Sequence, residues 1–314
     1  MPCSLAKCLL SGQELMVELG GMSDEILFLD VESVDRVVVH RVDRVHVSTR
    51  SPFQRIDVFH TPRLGLTLAL DGIIQLAQSD EQIYHELLVH PACLLLSSLR
   101  SALILGGGDG CAARELLRYP ELESLELVEM DQAVLDVCRT HLREVNSRAL
   151  DDPRLTAVVQ EARVYLGNHP EKRYDLIVLD LTDPYDAAGR PGELTRSVFS
   201  GSYYEVIKGH MSSGGVLVAQ TGGLIPNPSV NKSHAGLIDD LRRSFATVAT
   251  AYEYIPSFDQ VWSITLASDY PYDVRGLDPD TLLREKGISG LRHYDGSSHR
   301  KAFESPRHIR DISH

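Results

Sequence analysis

Five acidic residues follow short apolar runs in the middle of the sequence. Asp109 lies in the glycine-rich stretch "GGGDG", Glu129 follows "LELV", Glu161 follows "VVQ", and Asp180 and Asp183 lie in "DLTDP". Clustered carboxylates repel one another and raise each other's pKa unless a cation joins them. Because the sequence has no His or Cys set at metal-ligand spacing, an organic polycation fits Asp109, Asp180 and Asp183 better than a metal ion does. We therefore predict a cation-binding site that contains no metal.

The glycine-rich stretch has the wrong spacing for a dinucleotide site. Gly106, Gly108 and Gly110 follow a GxGxG pattern, and the third glycine of the GxGxxG fingerprint would fall at Cys111. Asp109 is also an unfavourable neighbour for a pyrophosphate, which is itself negatively charged. An adenosine attached to sulfur fits this turn better, because it carries no phosphate.

The next two acids have positions typical of adenosine contacts. Glu129 follows the glycines by roughly 20 residues, where an acid commonly accepts hydrogen bonds from ribose hydroxyls. Glu161 ends the following predicted strand, and we expect it near the adenine amino group.

Strands and helices alternate from residue 79 onward, which predicts how these acids are positioned. Short apolar strands such as "SALILGGG" and "YDLIVLDLTDP" are each followed by a helical pattern. Such alternation indicates an α/β fold, a doubly wound and mostly parallel sheet of the Rossmann-like, class I methyltransferase-like type. Ligands of these sheets bind at the carboxyl ends of the strands, where the acids are predicted to lie.

The sequence before residue 79 has a different pattern. Residues 35–78 alternate apolar and polar residues and predict a small antiparallel sheet. We predict two domains, an N-terminal region over 1–78, in which residues 1–20 carry no assignment, and a catalytic domain over 79–314. The catalytic domain is expected to have an antiparallel hairpin at its sheet edge and an irregular C-terminal tail.

Composition limits the partners and the compartment. The chain has 31 Lys and Arg against 44 Asp and Glu, a formal charge of −13, which argues against a nucleic-acid partner. No run approaches the ~18 apolar residues of a membrane span, and the first residues do not form a secretory signal. Five cysteines without a CxxC motif indicate free thiols in a reducing compartment. We expect a cytoplasmic protein with no membrane partner.

From about residue 50 the sequence resembles the polyamine aminopropyltransferases, the spermidine and spermine synthase family. The resemblance is carried by "FQRIDVF", "LALDGIIQLAQSDEQIYHELLVH", "GGGDG", "LVEMD", "DLTDP", "LVAQ" and "YIPSFDQVWSITLAS". These separated motifs occur in the order of the family. Class I methyltransferases share the sheet and the glycine turn but usually lack "YHE" and the double-acid "DLTDP".

The resemblance implies an aminopropyl transfer. The donor would be decarboxylated S-adenosylmethionine, a co-substrate rather than a tightly bound cofactor, and methylthioadenosine would leave when a polyamine attacks. Asp180 would be the base, and Tyr84 would help to accept or position the proton. The resemblance also implies a homodimer or homotetramer.

The same resemblance assigns contacts to the two substrates. The implied donor contacts are Gln54, Gly106, Gly108, Glu129, Glu161 and Ala162. The implied amine contacts are His85, Asp109, Asp183, Gln75, Gln220 and Trp262.

The acceptor and two other functions stay open at this point. Asp109 is the choice of spermidine synthases, which convert putrescine, whereas the tail "LRHYDGSSHRKAFESP" looks like the thermospermine synthase branch. The product would be spermidine, or else thermospermine or spermine. One alternative is a small-molecule methyltransferase that uses intact S-adenosylmethionine. The other is a non-catalytic polyamine-binding homologue.

Overall fold

The computed structural model of the chain describes residues 16–18, 26–33, 36–181, 201–224 and 232–304. These residues divide into two compact units, of which the first ends at Asp80 and the second begins at Glu81. That the units are separate domains divided at 78/79 stays a prediction.

The N-terminal unit consists of antiparallel strands. They are β1 (Met16–Glu18), β2 (Ile26–Ser33), β3 (Arg36–Val42), β4 (Arg44–Arg50), β5 (Arg55–Thr61), β6 (Gly65–Leu70) and β7 (Ile73–Ala77). Strands β1–β3 form one sheet, and β4–β7 form a four-stranded meander. The alternating pattern of residues 35–78 predicts the strands from β3 to β7, in which apolar side chains such as Val58 and Leu68 are buried. Strands β1 and β2 lie before that segment, outside the prediction.

The second unit contains a seven-stranded sheet in the order β10-β9-β8-β11-β12-β14-β13. Its strands are β8 (Ser101–Gly106), β9 (Ser124–Glu129), β10 (Leu155–Val159), β11 (Tyr174–Asp180), β12 (Met211–Leu224), β13 (Thr247–Ile255) and β14 (Gln260–Ser268). Neighbours from β10 to β12 are parallel, and the β13–β14 hairpin is antiparallel. The predicted fold class is confirmed.

Strand order reverses between β8 and β11. From β8 the chain moves outward to β9 and β10, and β11 then returns to the other side of β8. Asp180, the last residue of β11, pairs in register with Gly106, the last residue of β8. The glycine turn and Asp180 therefore meet at the point where ligands bind in doubly wound sheets.

Helices connect and cover the strands. They are α1 (Glu81–Leu95), α2 (Cys111–Leu116), α3 (Gln132–His141), α4 (Ala162–Asn168), α5 (Gly201–Gly209), α6 (Lys232–Ser244), α7 (Pro279–Glu285) and α8 (Gly296–Phe303). Helix α1 contains Pro91 and is buried along nearly all of its length. On one side of the sheet, Ile177 and Leu217 pack into a core with Tyr204 and Leu241. No helix among the described residues is long and apolar enough to cross a membrane.

The C-terminal part of the chain is more ordered than the sequence pattern predicts. Helices α7 and α8 lie within the segment predicted to be irregular, and the Asp278 and Asp295 side chains cap them. The buried carboxylate of Glu86 on α1 accepts hydrogen bonds from the backbone N–H groups of residues 292, 293 and 294, at 2.8 to 2.9 Å. Short polar helices have little apolar periodicity, so caps and buried contacts define them instead.

Candidate active site

The glycine turn packs directly against the end of β11. Gly106 has a φ of +86°, and a Cβ at this position would lie 2.2 Å from the Asp180 carbonyl oxygen. The same oxygen accepts a hydrogen bond of 2.8 Å from the Gly107 N–H. Only a glycine combines this conformation with so close an approach, so residue 106 fixes the turn beside Asp180.

The two oxygens of the Asp180 carboxylate have different surroundings. The Tyr84 hydroxyl donates to Oδ1 at 2.6 Å. The buried Oδ2 has no hydrogen-bond partner among the residues that the structure describes. Burial and the nearby Asp109 charge raise the pKa of Asp180 to about 6, against the opposing effects of His85 and of Tyr84. At pH 7 most of the carboxylate is ionised, so Oδ2 can accept a proton.

The His85 ring lies between two carboxylates. Its Nδ1 is 2.8 Å from the Glu81 carbonyl oxygen and 3.1 Å from Glu81 Oε2, and its Nε2 is 3.6 Å from Asp109 Oδ1. Burial alone would lower the pKa of His85, but the Glu81 hydrogen bond and the charges of Asp109, Glu81 and Asp180 raise it to about 9. His85 is therefore an imidazolium at neutral pH.

Asp109 and Asp180 come together as the sequence predicts, and their roles stay predictions. Asp109 Oδ1 accepts a 2.7 Å hydrogen bond from the Cys111 N–H, which fixes the side chain within the turn. One side-chain atom each of His85, Asp109 and Asp180 lies within 4.8 Å of the other two, a spacing that a metal ion could also use. The His85 charge offsets one of these two carboxylates, and the absence of a metal stays a prediction. Asp183 lies outside the described residues.

Glu129 faces the glycine turn. Its Oε1 accepts a 2.9 Å hydrogen bond from the Asp131 N–H. A Cβ at Gly108 would lie 3.0 Å from Glu129 Oε2, so a larger residue at 108 would crowd this carboxylate. Burial, with the charges of Asp131 and Asp109, raises the pKa of Glu129 to about 7. The predicted ribose contact is thus a carboxyl group directly beside the turn.

The Glu161 side chain is hydrogen-bonded to the backbone of the helix that follows it. Its two carboxylate oxygens accept hydrogen bonds of 3.0 Å each from the N–H groups of Arg163 and Val164, which makes Glu161 the N-cap of α4. Ala162, the first residue of that helix, is buried. The adenine contact predicted for both residues stays a prediction.

Gln220 is bound at both ends of its amide. Its Nε2 donates to the Leu181 carbonyl at 2.6 Å, and its Oε1 accepts from the Gly222 N–H at 3.0 Å. The side chain therefore fixes the backbone that directly follows Asp180.

An aromatic wall extends from Tyr84. The Phe258 ring lies 6.2 Å from Tyr84 in an edge-on orientation and 4.9 Å from the Trp262 ring. The Trp262 Nε1 is buried without a hydrogen-bond partner in the described part of the chain. Sequence reasoning predicted Trp262 but missed Phe258, whose signal was its place in "IPSFDQVW".

Gln54 and Gln75 belong to the N-terminal unit. The Gln54 N–H donates to Ser51 Oγ at 3.1 Å, and Gln75 Nε2 donates to the Ile73 carbonyl at 3.3 Å. Their substrate contacts stay predictions.

Sequence reasoning also missed the ion pair behind His85. The Arg114 guanidinium binds both carboxylate oxygens of Glu81, at 2.9 and 2.8 Å. The one sequence signal was the four-residue spacing of Glu81 and His85, which places both on one helical face. Arg114 lies on another helix, and nothing in the sequence indicates that contact.

Comparisons with known proteins agree across nearly the whole chain. Residues 81–274 match the spermine/spermidine synthase domain, and residues 35–78 match the spermidine synthase tetramerisation domain. The polyamine aminopropyltransferase of Aeropyrum pernix is 38% identical over 242 residues, which cover 77% of this chain and 74% of that protein. That of Sulfolobus acidocaldarius is 33% identical over 275 residues, which cover 87% and 88%.

Two solved structures are similar over 96% of this chain and 97% of their own. Spermidine synthase from Thermotoga maritima has a TM-score of 0.78 and 25% identity. A spermidine synthase in complex with the transition state analogue AdoDATO has a TM-score of 0.78 and 26% identity.

Proposed function

The chain belongs to the spermine/spermidine synthase family of polyamine aminopropyltransferases, and on this basis we propose its substrates and the roles of its residues. It transfers the aminopropyl group of decarboxylated S-adenosylmethionine to a polyamine and releases methylthioadenosine. The observation that carries this proposal is the Asp180 carboxylate at the switch point, the place where the strand order reverses between β8 and β11. Tyr84 holds this carboxylate at 2.6 Å, and Asp109 and His85 lie close to it.

The chemical step requires a free amine. The amine lone pair attacks the methylene carbon beside the sulfonium, the carbon–sulfur bond breaks with its electrons moving to sulfur, and the product is a secondary ammonium. Polyamine nitrogens have pKa values near those of lysine, about 10, so the bound ammonium must first lose a proton. Asp180 takes this proton on Oδ2, which is buried and has no other hydrogen-bond partner among the described residues.

The acidic side of the site holds the acceptor as a cation. Asp109 and Asp180 attract the ammonium groups, and Asp183 is proposed to join them. His85 offsets part of this charge and lies against Asp109, with Nε2 3.6 Å from Oδ1. Trp262 forms the wall beside the methylene chain of the amine. Gln220 fixes the backbone after Asp180. Gln75 is proposed to line the channel that holds the amine.

The glycine turn and the following acids hold the donor. Gly106 and Gly108 have no side chain, so the adenosyl sulfonium can lie close to the backbone of the turn. Glu129 accepts hydrogen bonds from the ribose hydroxyls of the donor. Gln54, Glu161 and Ala162 are proposed to contact the rest of the donor. The complex of a related spermidine synthase with a transition state analogue supports a site of this kind, with the donor as a co-substrate.

Product analysis tests the reaction and the acceptor together. Purified protein is incubated with decarboxylated S-adenosylmethionine and, in parallel, with putrescine, spermidine or cadaverine, and products are identified by mass spectrometry. We expect methylthioadenosine and one aminopropylated amine in equal amounts. Turnover with intact S-adenosylmethionine alone would contradict the proposal and indicate a methyltransferase.

Removal of metal tests the charge balance of the site. We expect dialysis against EDTA to leave the rate unchanged, because the His85 imidazolium and the substrate ammonium supply the positive charge. Loss of activity that returns on addition of Mg²⁺ or Zn²⁺ would show instead that His85, Asp109 and Asp180 bind a metal.

The proposed setting is the cytoplasm, without a nucleic-acid or membrane partner. The described cysteines, Cys93, Cys111 and Cys138, are buried free thiols, which suits a reducing compartment. The match of residues 35–78 to a tetramerisation domain supports a homotetramer over a homodimer.

A further inference from the structure

Glu81 is a buried carboxylate that binds two cations at once. The residue is 7% exposed. Oε2 lies 3.1 Å from His85 Nδ1, and the two oxygens together accept the bidentate hydrogen bonds of Arg114, at 2.9 and 2.8 Å. A paired and hydrogen-bonded carboxylate of this kind is stable in the interior only while both partners are present.

These contacts determine which nitrogen of His85 faces the site. Nδ1 lies against two acceptors of Glu81, its carbonyl oxygen at 2.8 Å and its carboxylate, so it must carry a hydrogen. The ring is thereby oriented with Nε2 toward Asp109 Oδ1. A residue that binds the far nitrogen of a functional histidine sets both its protonation and its direction.

Arg114 connects the same carboxylate to the glycine turn. It lies on α2, which begins immediately after "GGGDG", and it also donates to the Val145 carbonyl at 2.6 Å and to Glu115 at 2.7 Å. Glu81 therefore joins the helix that carries Tyr84 and His85 to the helix that follows Asp109. The relative position of these two helices determines the distances within the site.

We propose that Glu81 is a positioning residue for the polyamine site, holding His85 and Arg114 so that Nε2 of His85 is aimed at Asp109. Asp109 is then the carboxylate paired with His85, and Asp180 keeps Oδ2 for the reacting amine. Glu81 contacts neither substrate and acts through His85. The inference rests on the proposed function, because the site it positions is the amine site described above.

Glu115 provides a matched control. It is also buried, and its carboxylate also binds Arg114, but its other partners are Arg118 and His90 and not His85. Glu81→Gln and Glu115→Gln each remove one buried charge from the same arginine. Only the first removes a partner of His85.

The kinetic test compares the two variants at a temperature where both are folded by circular dichroism. For Glu81→Gln we expect kcat/KM for the amine to fall roughly 10- to 100-fold, the range of a lost charged hydrogen bond, with the donor KM within about twofold of wild type. For Glu115→Gln we expect kcat/KM within about threefold of wild type. An equal loss in both variants, or no loss in Glu81→Gln, would overturn the proposal. Glu81→Asp, which keeps the charge but shortens the reach to His85, replaces Glu81→Gln if that variant does not fold.

A spectroscopic readout separates this inference from the reaction itself. In ¹⁵N-histidine-labelled protein, with the His85 signals assigned from their loss in His85→Gln, we expect both ring nitrogens to be protonated at pH 7 in wild type and in Glu115→Gln. We expect at least one nitrogen to be deprotonated in Glu81→Gln. Unchanged His85 signals in that variant would overturn the positioning role. Absence of product in wild type with these spectra as expected would refute only the proposed function.

Discussion

At the scale of single residues, the site separates two aspartates by their surroundings. Asp109 lies against the imidazolium of His85, whereas Asp180 has one oxygen bound by the neutral hydroxyl of Tyr84 and the other buried with no hydrogen-bond partner among the described residues. Two carboxylates with different partners can divide the work, one as a fixed charge and the other as a base. This difference between their neighbours is the reason we propose Asp180, and not Asp109, as the proton acceptor.

Replacement of Asp180 tests that role. Asp180→Asn keeps the shape and the contact with Tyr84 but removes the basic oxygen, so we expect kcat to fall by roughly 10²- to 10⁴-fold. Donor binding, measured by calorimetry, should be nearly unchanged because the adenosine contacts lie on other elements. A variant with a near wild-type rate would show that another group is the base.

The pH dependence of the rate reports the same group. In the proposed role Asp180 must be ionised, and its pKa is raised to about 6, so we expect kcat/KM to be maximal above this pH and to fall as the pH drops through it. The Tyr84 hydrogen bond lowers this pKa, so in Tyr84→Phe the acid limb should move to higher pH. A wild-type profile that stays flat well below pH 6 would contradict the assignment.

At the scale of elements, the turn between β8 and α2 tolerates no side chain at its first glycine. For Gly106→Ala we expect a loss of at least about 2 kcal/mol in unfolding free energy, because of the positive φ and the clash with the Asp180 carbonyl. Gly167→Ala is the control, since Gly167 lies in α4 and a Cβ there would have no neighbouring atom within 4 Å. The control should be neutral, or more stable by about 0.5–1 kcal/mol. Equal melting temperatures for both variants would refute the argument.

The same elements show how far sequence reasoning reaches. The switch point was predictable because apolar strands end at Gly106 and Asp180, and parallel strands bring such ends together. The pair of Glu81 and Arg114 was not predictable, because its members are 33 positions apart in the sequence and their contact depends on how two helices pack together. Helices α7 and α8 were missed because they are short and polar, although Asp295 and Ser298 form a capping box, which is a recognisable sequence pattern.

At the scale of the whole molecule, we expect assembly through the N-terminal strands. The tetramerisation-domain match covers 35–78, and within it Val37 and Val39 of β3 expose apolar side chains, 37% and 50% accessible. Light scattering coupled to size exclusion should give the mass of four 34.8 kDa chains. Val39→Lys should shift this mass to smaller species without changing the circular dichroism spectrum, because a charge is costly in a buried apolar contact. A monomeric wild type would contradict the expectation.

The contact of Glu86 with the C-terminal segment has a consequence for the timing of synthesis. This carboxylate, on the helix that also carries Tyr84, is hydrogen-bonded by backbone N–H groups that lie 206 to 208 positions later in the chain. Until those residues have left the ribosome, the helix has a carboxylate without its three donors and cannot bury it cheaply. The hydrogen bonding of this helix is thus completed only by a segment made about two hundred residues later, and a chain that stops before residue 292 leaves the Glu86 carboxylate without these donors.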